Sequence, residues 1–311
     1  MTKEEFEFQL FDRIEKIKQI NEKYDLENNA YISFSGGKDS TVLHYLIDLA
    51  LPNNKIPRLF LNTGIEYVDI VNFVKELAKN DNRIIVYNSG INIKQMLEQY
   101  GYPFKSKVFA EQVQRYQKFH IKTNSLKMFL CEIPTKNGDF RTGAFACPNK
   151  LKYIFQPEFN IKISNLCCNK LKKEIAKKWM LENNKKITLT GMRATEGGNR
   201  LDLTCITNNG EKIHFLAPVS NEFCNEFIEV YNIKLCKLYY PPYNLERTGC
   251  KGCPFNKNLQ KDLDMMEKFL PNEYKQCETI WKPVYDEYRR IGYRLRKKNN
   301  QLTIFDYIEK E

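Results

Sequence analysis

The chain has no run of about 18 apolar residues, which excludes a membrane-spanning helix of ordinary type. It also lacks signal-peptide organisation: Met1-Thr2-Lys3-Glu4-Glu5-Phe6 is charged and amphipathic, and a cytoplasmic location is expected. No internal repeat and no low-complexity linker is present, so a repeat array is not expected. Only three histidines occur. His44 lies in a helical pattern and reads as structural, and His120 and His214 have no ligand-like sequence neighbours, so no chemistry is assigned to them.

What is present suits one large domain or two: 311 residues, 42% of them hydrophobic, enough for a sizeable core. The 49 basic and 38 acidic residues leave a net charge of +11. That favours an anionic partner, nucleotide or nucleic acid, over an ordinary Lys-rich surface only mildly. Ten cysteines are many for a reducing compartment, where they serve as ligands or catalysts more readily than as disulfides, or pack as small core residues.

Organisation follows hydrophobic period. Residues 1–28 read as an amphipathic helix with Phe6, Leu10, Ile14 and Ile17 on one face. Strands are expected over 30–35, 57–62, 82–87, 186–190 and 212–219, with helices over 39–50, 70–78 and 162–181. Residues 101–160 are less regular, and the region from 236 onward carries turns, cysteines and then a long basic helix. Strands alternating with helices predict an α/β fold with a parallel sheet. The domains are expected as 1–28, an N-terminal helix; 29–235, a nucleotide-binding α/β domain; and 236–311, a cysteine-bearing basic helical region.

The most telling stretch is Ser33-Phe34-Ser35-Gly36-Gly37-Lys38-Asp39-Ser40-Thr41, between the first strand and first helix. A strand, a Gly-Gly turn and a helix start form an anion site, because Gly36 and Gly37 let backbone N–H groups approach a phosphate. Ser40 and Thr41 are expected to cap the helix, Lys38 to add a mobile cation, and Asp39 to contact Mg²⁺. The spacing is not G-x-x-x-x-G-K-S/T, which disfavours a kinase or GTPase. Further on, Arg193 and Arg200 have the fork geometry to clamp phosphate oxygens. Thr63 and Gly64 suit a backbone contact with ribose or adenine.

Cys250-Lys251-Gly252-Cys253-Pro254 is a C-x-x-C knuckle, which alone fits a zinc half-site, a redox pair or half an iron–sulfur site. The adjacent pair Cys167-Cys168 is its candidate partner, and the spacing is not that of a zinc ribbon. Cys131, Cys147, Cys224 and Cys236 read as packing, with Cys147 before Pro148 retained as a candidate mobile thiol. The basic helix interleaves Tyr285, Tyr288 and Tyr293 with Arg289, Arg290, Arg294, Arg296, Lys297 and Lys298. That pattern suits a nucleic-acid backbone with stacking, or equally a tyrosine core face.

S-G-G-K-D-S resembles the pyrophosphate-binding loop of the PP-loop ATP pyrophosphatases. The C-C and C-x-x-C pairs resemble the 4Fe-4S pattern of assimilatory adenylylsulfate reductases. Cys167-Cys168 through Lys172, Gly191-Met192-Arg193-Ala194-Thr195-Glu196 with Arg200, and Thr63-Gly64 resemble further elements of the phosphoadenosine phosphosulfate reductase family. Together these cover roughly residues 30–255. The resemblance implies a Rossmann-like adenine nucleotide alpha hydrolase fold. It implies ATP with Mg²⁺ at Ser33, Ser35, Gly36, Gly37, Lys38, Asp39, Ser40, Thr63, Gly64, Gly191, Arg193 and Arg200, with Lys38, Asp39 and Arg193 catalytic. It also implies a 4Fe-4S cluster on Cys167, Cys168, Cys250 and Cys253, with zinc as the alternative and Cys205 as a possible substitute ligand.

Two departures separate this chain from the sulfonucleotide reductases. Their C-terminal E-C-G-I/L-H cysteine is missing: no cysteine follows Cys277, and the tail runs Thr303-Ile304-Phe305-Asp306-Tyr307. Their phosphate loop is degenerate, whereas this one is intact and suits a triphosphate. The expected function is therefore ATP-dependent adenylation with iron–sulfur-dependent sulfur transfer to tRNA or DNA, fed by a sulfur donor such as a cysteine desulfurase. A sulfonucleotide reductase is the second expectation, and a nucleic-acid-binding module with a structural metal the third.

Overall fold

The computed structural model describes residues 1–196 and 201–297. The chain forms two compact units, each assembled from separated stretches: Met1–Gly90 with Lys172–Cys250, and Ile91–Leu171 with the segment from Lys251 onward.

The first unit is built on a sheet of order β3-β2-β1-β4-β6-β5. Its strands are β1 (Ala30–Ser33), β2 (Arg58–Asn62), β3 (Ile84–Asn88), β4 (Ile187–Leu189), β5 (Ile206–Thr207) and β6 (Lys212–Ile213). All neighbours pair in parallel except β5 with β6. Ala30, Tyr31 and Ile32 of β1 are all buried, as a central strand covered on both faces requires. Parallel pairing needs crossover helices, and α3 (Lys38–Ala50) and α4 (Val68–Asn80) supply them. One α3 flank buries Val42, Leu43, Leu46 and Ile47. β1 lies between β2 and β4, so the chain leaves it toward one sheet edge and later returns to its other side. That arrangement makes the carboxyl end of β1 a topological switch point, where ligands bind in open α/β sheets.

The N-terminal segment is α1 (Lys3–Tyr24), closed at its start by a reciprocal capping box between Thr2 and Glu5. The helix expected over 1–28 is interrupted at Asp25, which adopts a left-handed conformation (φ 48°) before the short α2 (Leu26–Asn29). The strand expected over 212–219 ends at Ile213, because the Ala217 N–H turns back onto the His214 carbonyl just before Pro218. The buried His214 ring is bridged by the hydroxyls of Thr190 (2.6 Å) and Thr207 (3.1 Å), a structural role. The helix expected over 162–181 is a π-helical turn at Asn169–Lys173 followed by α8 (Glu174–Glu182).

The second unit is helical in its described residues: α5 (Ile93–Tyr100), α6 (Lys107–Phe119), α7 (Asn124–Phe129), α10 (Leu259–Phe269), α11 (Pro271–Ile280) and α12 (Lys282–Arg290), while α9 (Asn221–Val230) belongs to the first unit. Residues 101–160, read as irregular, therefore hold two helices. Ser106 caps α6 by accepting the Phe109 N–H, and Phe109, Ala110, Val113 and Tyr116 bury one face. Phe104, Phe109, Phe129, Phe155 and Tyr288 pack as a chain of ring contacts 4.6–6.2 Å apart.

In the first unit, a buried ionic network ties α3 to β2. Arg58 is fully buried and donates to His44 Nδ1 (3.1 Å), Asn54 Oδ1 (2.8 Å) and Asp48 Oδ1 (2.6 Å). Arg83 adds 2.8 Å bonds to Asp48 and Asp81. His44, Asp48 and Asp81 form the one group of three metal-ligand-type side chains within 4.8 Å of one another among the described residues. Because His44 Nδ1 accepts from Arg58, the neutral ring carries its hydrogen on Nε2, facing Asp48 (3.7 Å) and Asp81 (4.0 Å). Two guanidinium groups already satisfy the carboxylates, so the cluster is an ion-pair network rather than a metal centre.

Burial first, then the Arg58 charge, pushes the His44 pKa down to about 4 from its ordinary 6.5. Between those values the unfolded chain binds the proton that the folded chain refuses. Stability is expected to be full above about pH 6.5 and to fall as pH drops toward 4, by up to ~3 kcal/mol from this group. Urea unfolding between about pH 4.5 and 7.5 should show that slope flattened in His44→Gln; an unchanged slope refutes the assignment.

Candidate active site at the carboxyl end of the parallel strands

Parallel pairing places the ends of β1, β2 and β4 at one edge of the sheet, and with them Ser33–Lys38, Thr63–Gly64 and Gly191–Arg193. The loop after β1 turns through Gly36 at φ +67°. A Cβ there would meet Val74 Cγ2 at 2.6 Å, so both conformation and space require glycine. Gly37 is the N-cap of α3, and Thr41 makes the first intrahelical bond, to the Gly37 carbonyl (3.0 Å). The first-turn amides Lys38, Asp39 and Ser40 are thus helix-end donors of the type that binds anions.

Ser40 and Thr41 do not cap the helix as expected. Already inside its first turn, both return their hydroxyls to the Gly37 carbonyl, at 2.9 and 3.0 Å. Ser40 Oγ also accepts the Ser35 N–H (3.2 Å) and lies 2.9 Å from Ser35 Oγ, so it braces the loop from beneath. Ser33 and Ser35 are exposed, and Lys38 and Asp39 half-buried. Lys38 Nζ donates to Asn225 Oδ1 (3.2 Å) on α9.

Gly191 packs directly on the helix start: an added Cβ would lie 2.7 Å from the Asp39 carbonyl oxygen. That approach brings the buried Arg193 to Asp39, whose Oδ1 accepts from Nε at 3.1 Å. The other guanidinium nitrogens donate to Thr195 Oγ1 (3.2 Å) and Asn221 Oδ1 (2.7 Å). Asp39, expected on Mg²⁺, is thus held by Arg193 and not aligned by its own helix alone. Arg200 lies outside the described residues.

Thr63, expected to contact nucleotide, is buried and turned inward: its N–H (2.8 Å) and Oγ1 (2.9 Å) both bond the Glu66 carboxylate. Glu66 pairs in turn with Lys172 Nζ (3.2 Å). The Cys250 sulfur beside Lys172, and then Glu66, hold that ammonium above its usual range against the opposing pull of burial. Gly64 is exposed at φ +84°.

Sequence reasoning missed Asn221 and Asn225 on α9, and Tyr239 and Thr248 beyond it. The Lys38 N–H donates to Tyr239 Oη (3.0 Å), which lies 2.6 Å from Thr248 Oγ1. The asparagines carried no motif; only their i, i+4 spacing, with one helix face toward the loop, hinted at them.

None of the ten cysteines is in a disulfide. Cys250 belongs to the first unit, and Cys167, Cys168 and Cys253 to the second. In the second unit the turn from Lys251 to Pro254 is held by aromatic donors: Trp281 Nε1 to the Lys251 carbonyl (3.2 Å), Tyr285 Oη to Gly252 and Tyr288 Oη to Pro254 (3.0 Å). Gly252 sits at φ +60°, and a Cβ there would lie 2.8 Å from Cys277 Sγ. Lys251 itself is buried against Glu273 (3.3 Å). Burial pushes Cys147, Cys224 and Cys277 up to about 12, which leaves them as packing thiols.

The basic C-terminal helix resolves toward the core alternative. Tyr285 and Tyr288 are fully buried, Arg289 pairs with Glu278 and Arg290 with Glu287. The helix ends at Arg290; Gly292 (φ +60°) and Arg294 (φ +61°) break it, so Tyr293, Arg294, Arg296 and Lys297 lie beyond, and Lys298 falls outside the described residues.

Fold and loop define an α/β chain with a phosphate-type loop at a sheet switch point. Residues 29–137, the stretch carrying Ser33–Ser40 and Thr63–Gly64, match the model of the phosphoadenosine phosphosulfate reductase domain. An uncharacterized protein of Methanocaldococcus jannaschii is 36% identical over 103 residues, 30% of this chain and 25% of that protein's length. Among solved structures, phosphoadenylyl-sulfate reductase from Candida auris is similar with a TM-score of 0.45 at 13% identity, over 80% of this chain and 96% of that one. A tRNA thiolase from Methanococcus maripaludis, solved with its 4Fe-4S cluster, gives 0.38 at 15% identity over 97% and 84%. No described helix is long and apolar enough to cross a membrane.

Proposed function

We propose that this chain is a PP-loop ATP pyrophosphatase of the phosphoadenosine phosphosulfate reductase family that adenylates a substrate and supports sulfur transfer, with nucleic acid, tRNA or DNA, as the acceptor. The observation that carries the reading is the intact Ser35–Ser40 loop at the β1 switch point, with first-turn amides, Lys38 and the Arg193–Asp39 pair at one strand end. In the reaction an acceptor oxygen attacks the α-phosphorus of ATP and the bond to the β-phosphate oxygen breaks, releasing pyrophosphate. Lys38 and the α3 amides would stabilise the departing charge, and Asp39, aimed by Arg193, would hold Mg²⁺. A sulfur nucleophile from a donor such as a cysteine desulfurase then displaces AMP.

The donor set suits an iron–sulfur group: cysteines outside any disulfide, and a C-x-x-C turn whose glycine leaves no room for a side chain. Cys167, Cys168, Cys250 and Cys253 would hold a 4Fe-4S cluster, and a cluster held by only three cysteines would leave one iron open to bind sulfide; zinc is the alternative. The reductase reading needs a nucleophilic thiol. Cys147 and Cys277 do not offer one, because burial disfavours their thiolates.

The test is anaerobic purification with iron, sulfide and zinc analysis, followed by assay of ATP-dependent pyrophosphate release with tRNA or DNA present. About four irons and four sulfides with broad absorbance near 400 nm, together with pyrophosphate release, are expected. A colourless zinc protein overturns sulfur transfer, and no pyrophosphate release overturns the pyrophosphatase.

A further inference from the structure

The amide that a phosphate oxygen would take at the start of α3 is shared. Lys38 is the first helical residue after the Gly37 N-cap, so its N–H has no partner within the helix. It donates to the Tyr239 hydroxyl at 3.0 Å, and that hydroxyl lies 2.6 Å from Thr248 Oγ1. The pair sits over the Gly-Gly turn: a Cβ on Gly37 would fall 3.2 Å from both Tyr239 Oη and Thr248 Oγ1.

Tyr239 is held where it is. It closes a 3-10 turn, Lys237–Tyr239, with its N–H on the Cys236 carbonyl (3.0 Å). The turn is tied to the first turn of α4 by Lys237 and Asp69 (2.9 Å). Burial keeps the phenol above its usual range, so it retains its proton; its oxygen accepts from Lys38, and either hydroxyl can donate in the contact with Thr248.

We infer that Tyr239, backed by Thr248, attenuates pyrophosphate binding in the phosphate loop by competing for the Lys38 N–H. This inference rests on the loop being the pyrophosphate site proposed above. One N–H has one hydrogen, so a ligand that uses it must displace the hydroxyl. A charged phosphate oxygen makes the stronger bond and wins, whereas a ligand that leaves this amide alone meets no competition. The competition thereby lowers the affinity of ligands bearing a pyrophosphate moiety and leaves ligands that do not use this amide unaffected.

The experiment is calorimetric titration of the full chain with magnesium pyrophosphate and, separately, AMP, for wild type, Tyr239→Phe and Thr248→Val. Tyr239→Phe keeps the ring and removes only the competing oxygen. It is expected to bind pyrophosphate about two- to tenfold more tightly, the worth of one neutral hydrogen bond, with AMP affinity unchanged. Thr248→Val should shift pyrophosphate affinity the same way by less. Amide exchange at Lys38 should quicken in Tyr239→Phe, which reads the lost bond without any ligand.

Weaker pyrophosphate binding in Tyr239→Phe would make the hydroxyl a ligand contact and overturn the inference. Equal affinity, or equal tightening of AMP, overturns it too. If wild type binds pyrophosphate and the variant does not gain, the competitor role fails and the pyrophosphatase reading stands. If neither protein binds pyrophosphate, both fail.

Discussion

Lys38→Ala is expected to lower ATP-dependent pyrophosphate release by about 10²- to 10³-fold, the usual effect of removing one group aimed at transition-state charge. The Lys38 ammonium is half-buried and its side-chain partner among the described residues is Asn225, 3.2 Å away, so truncation leaves the fold intact. Loss should therefore appear in turnover and not in thermal stability. Arg193→Ala is the informative comparison, because it frees Asp39 and Asn221 together and disturbs the loop indirectly. A Lys38→Ala protein that releases pyrophosphate at the wild-type rate would reject the loop as the catalytic phosphate site and favour a binding module with no turnover.

Arg58→Met should carry the largest loss of stability, about 3 kcal/mol, and lower the apparent melting temperature by roughly 10 °C. Arg58 is fully buried with partners on four residues, and methionine leaves His44 Nδ1 without its donor and Asn54 Oδ1 with only the longer Ile56 N–H bond (3.3 Å). Asp48 keeps Arg83, which limits the damage to less than that of an isolated buried charge. Arg83→Met, at a partly exposed position, should cost about 1 kcal/mol. Thermal melts of both variants check the order; an Arg58→Met melt within 2 °C of wild type (roughly 1 kcal/mol or less) contradicts it.

The parallel sheet was legible because its strands carry both signals at once. Ala30-Tyr31-Ile32 and Leu59-Phe60 are short apolar runs bounded by turn residues, and each is followed by a helix with a buried flank. Gly36 and Gly37 were legible for the same reason, since a glycine pair between strand and helix has few other uses. Boundaries failed where local geometry intervened: the αL residue Asp25 split the first helix, and the His214–Ala217 turn stopped the last strand. Helix α6 was overlooked within a stretch read as less regular, although Phe109, Val113 and Tyr116 follow helical spacing.

The sequence by itself determined the fold class, the phosphate-type loop and the cysteine inventory, because each rests on contacts between residues near in the chain or on residue type alone. Only the tertiary structure decided which side chains serve that loop. Arg193 reaches Asp39 across 154 positions, Tyr239 reaches Lys38 across 201, and Thr63 turns from the nucleotide side to Glu66. It likewise decided that Tyr285 and Tyr288 are core, and that the two units interleave where the sequence read as consecutive segments. Such pairings depend on the sheet order and on which amide or carboxylate lies within about 3 Å, and hydrogen bonds that short leave no trace in spacing along the chain.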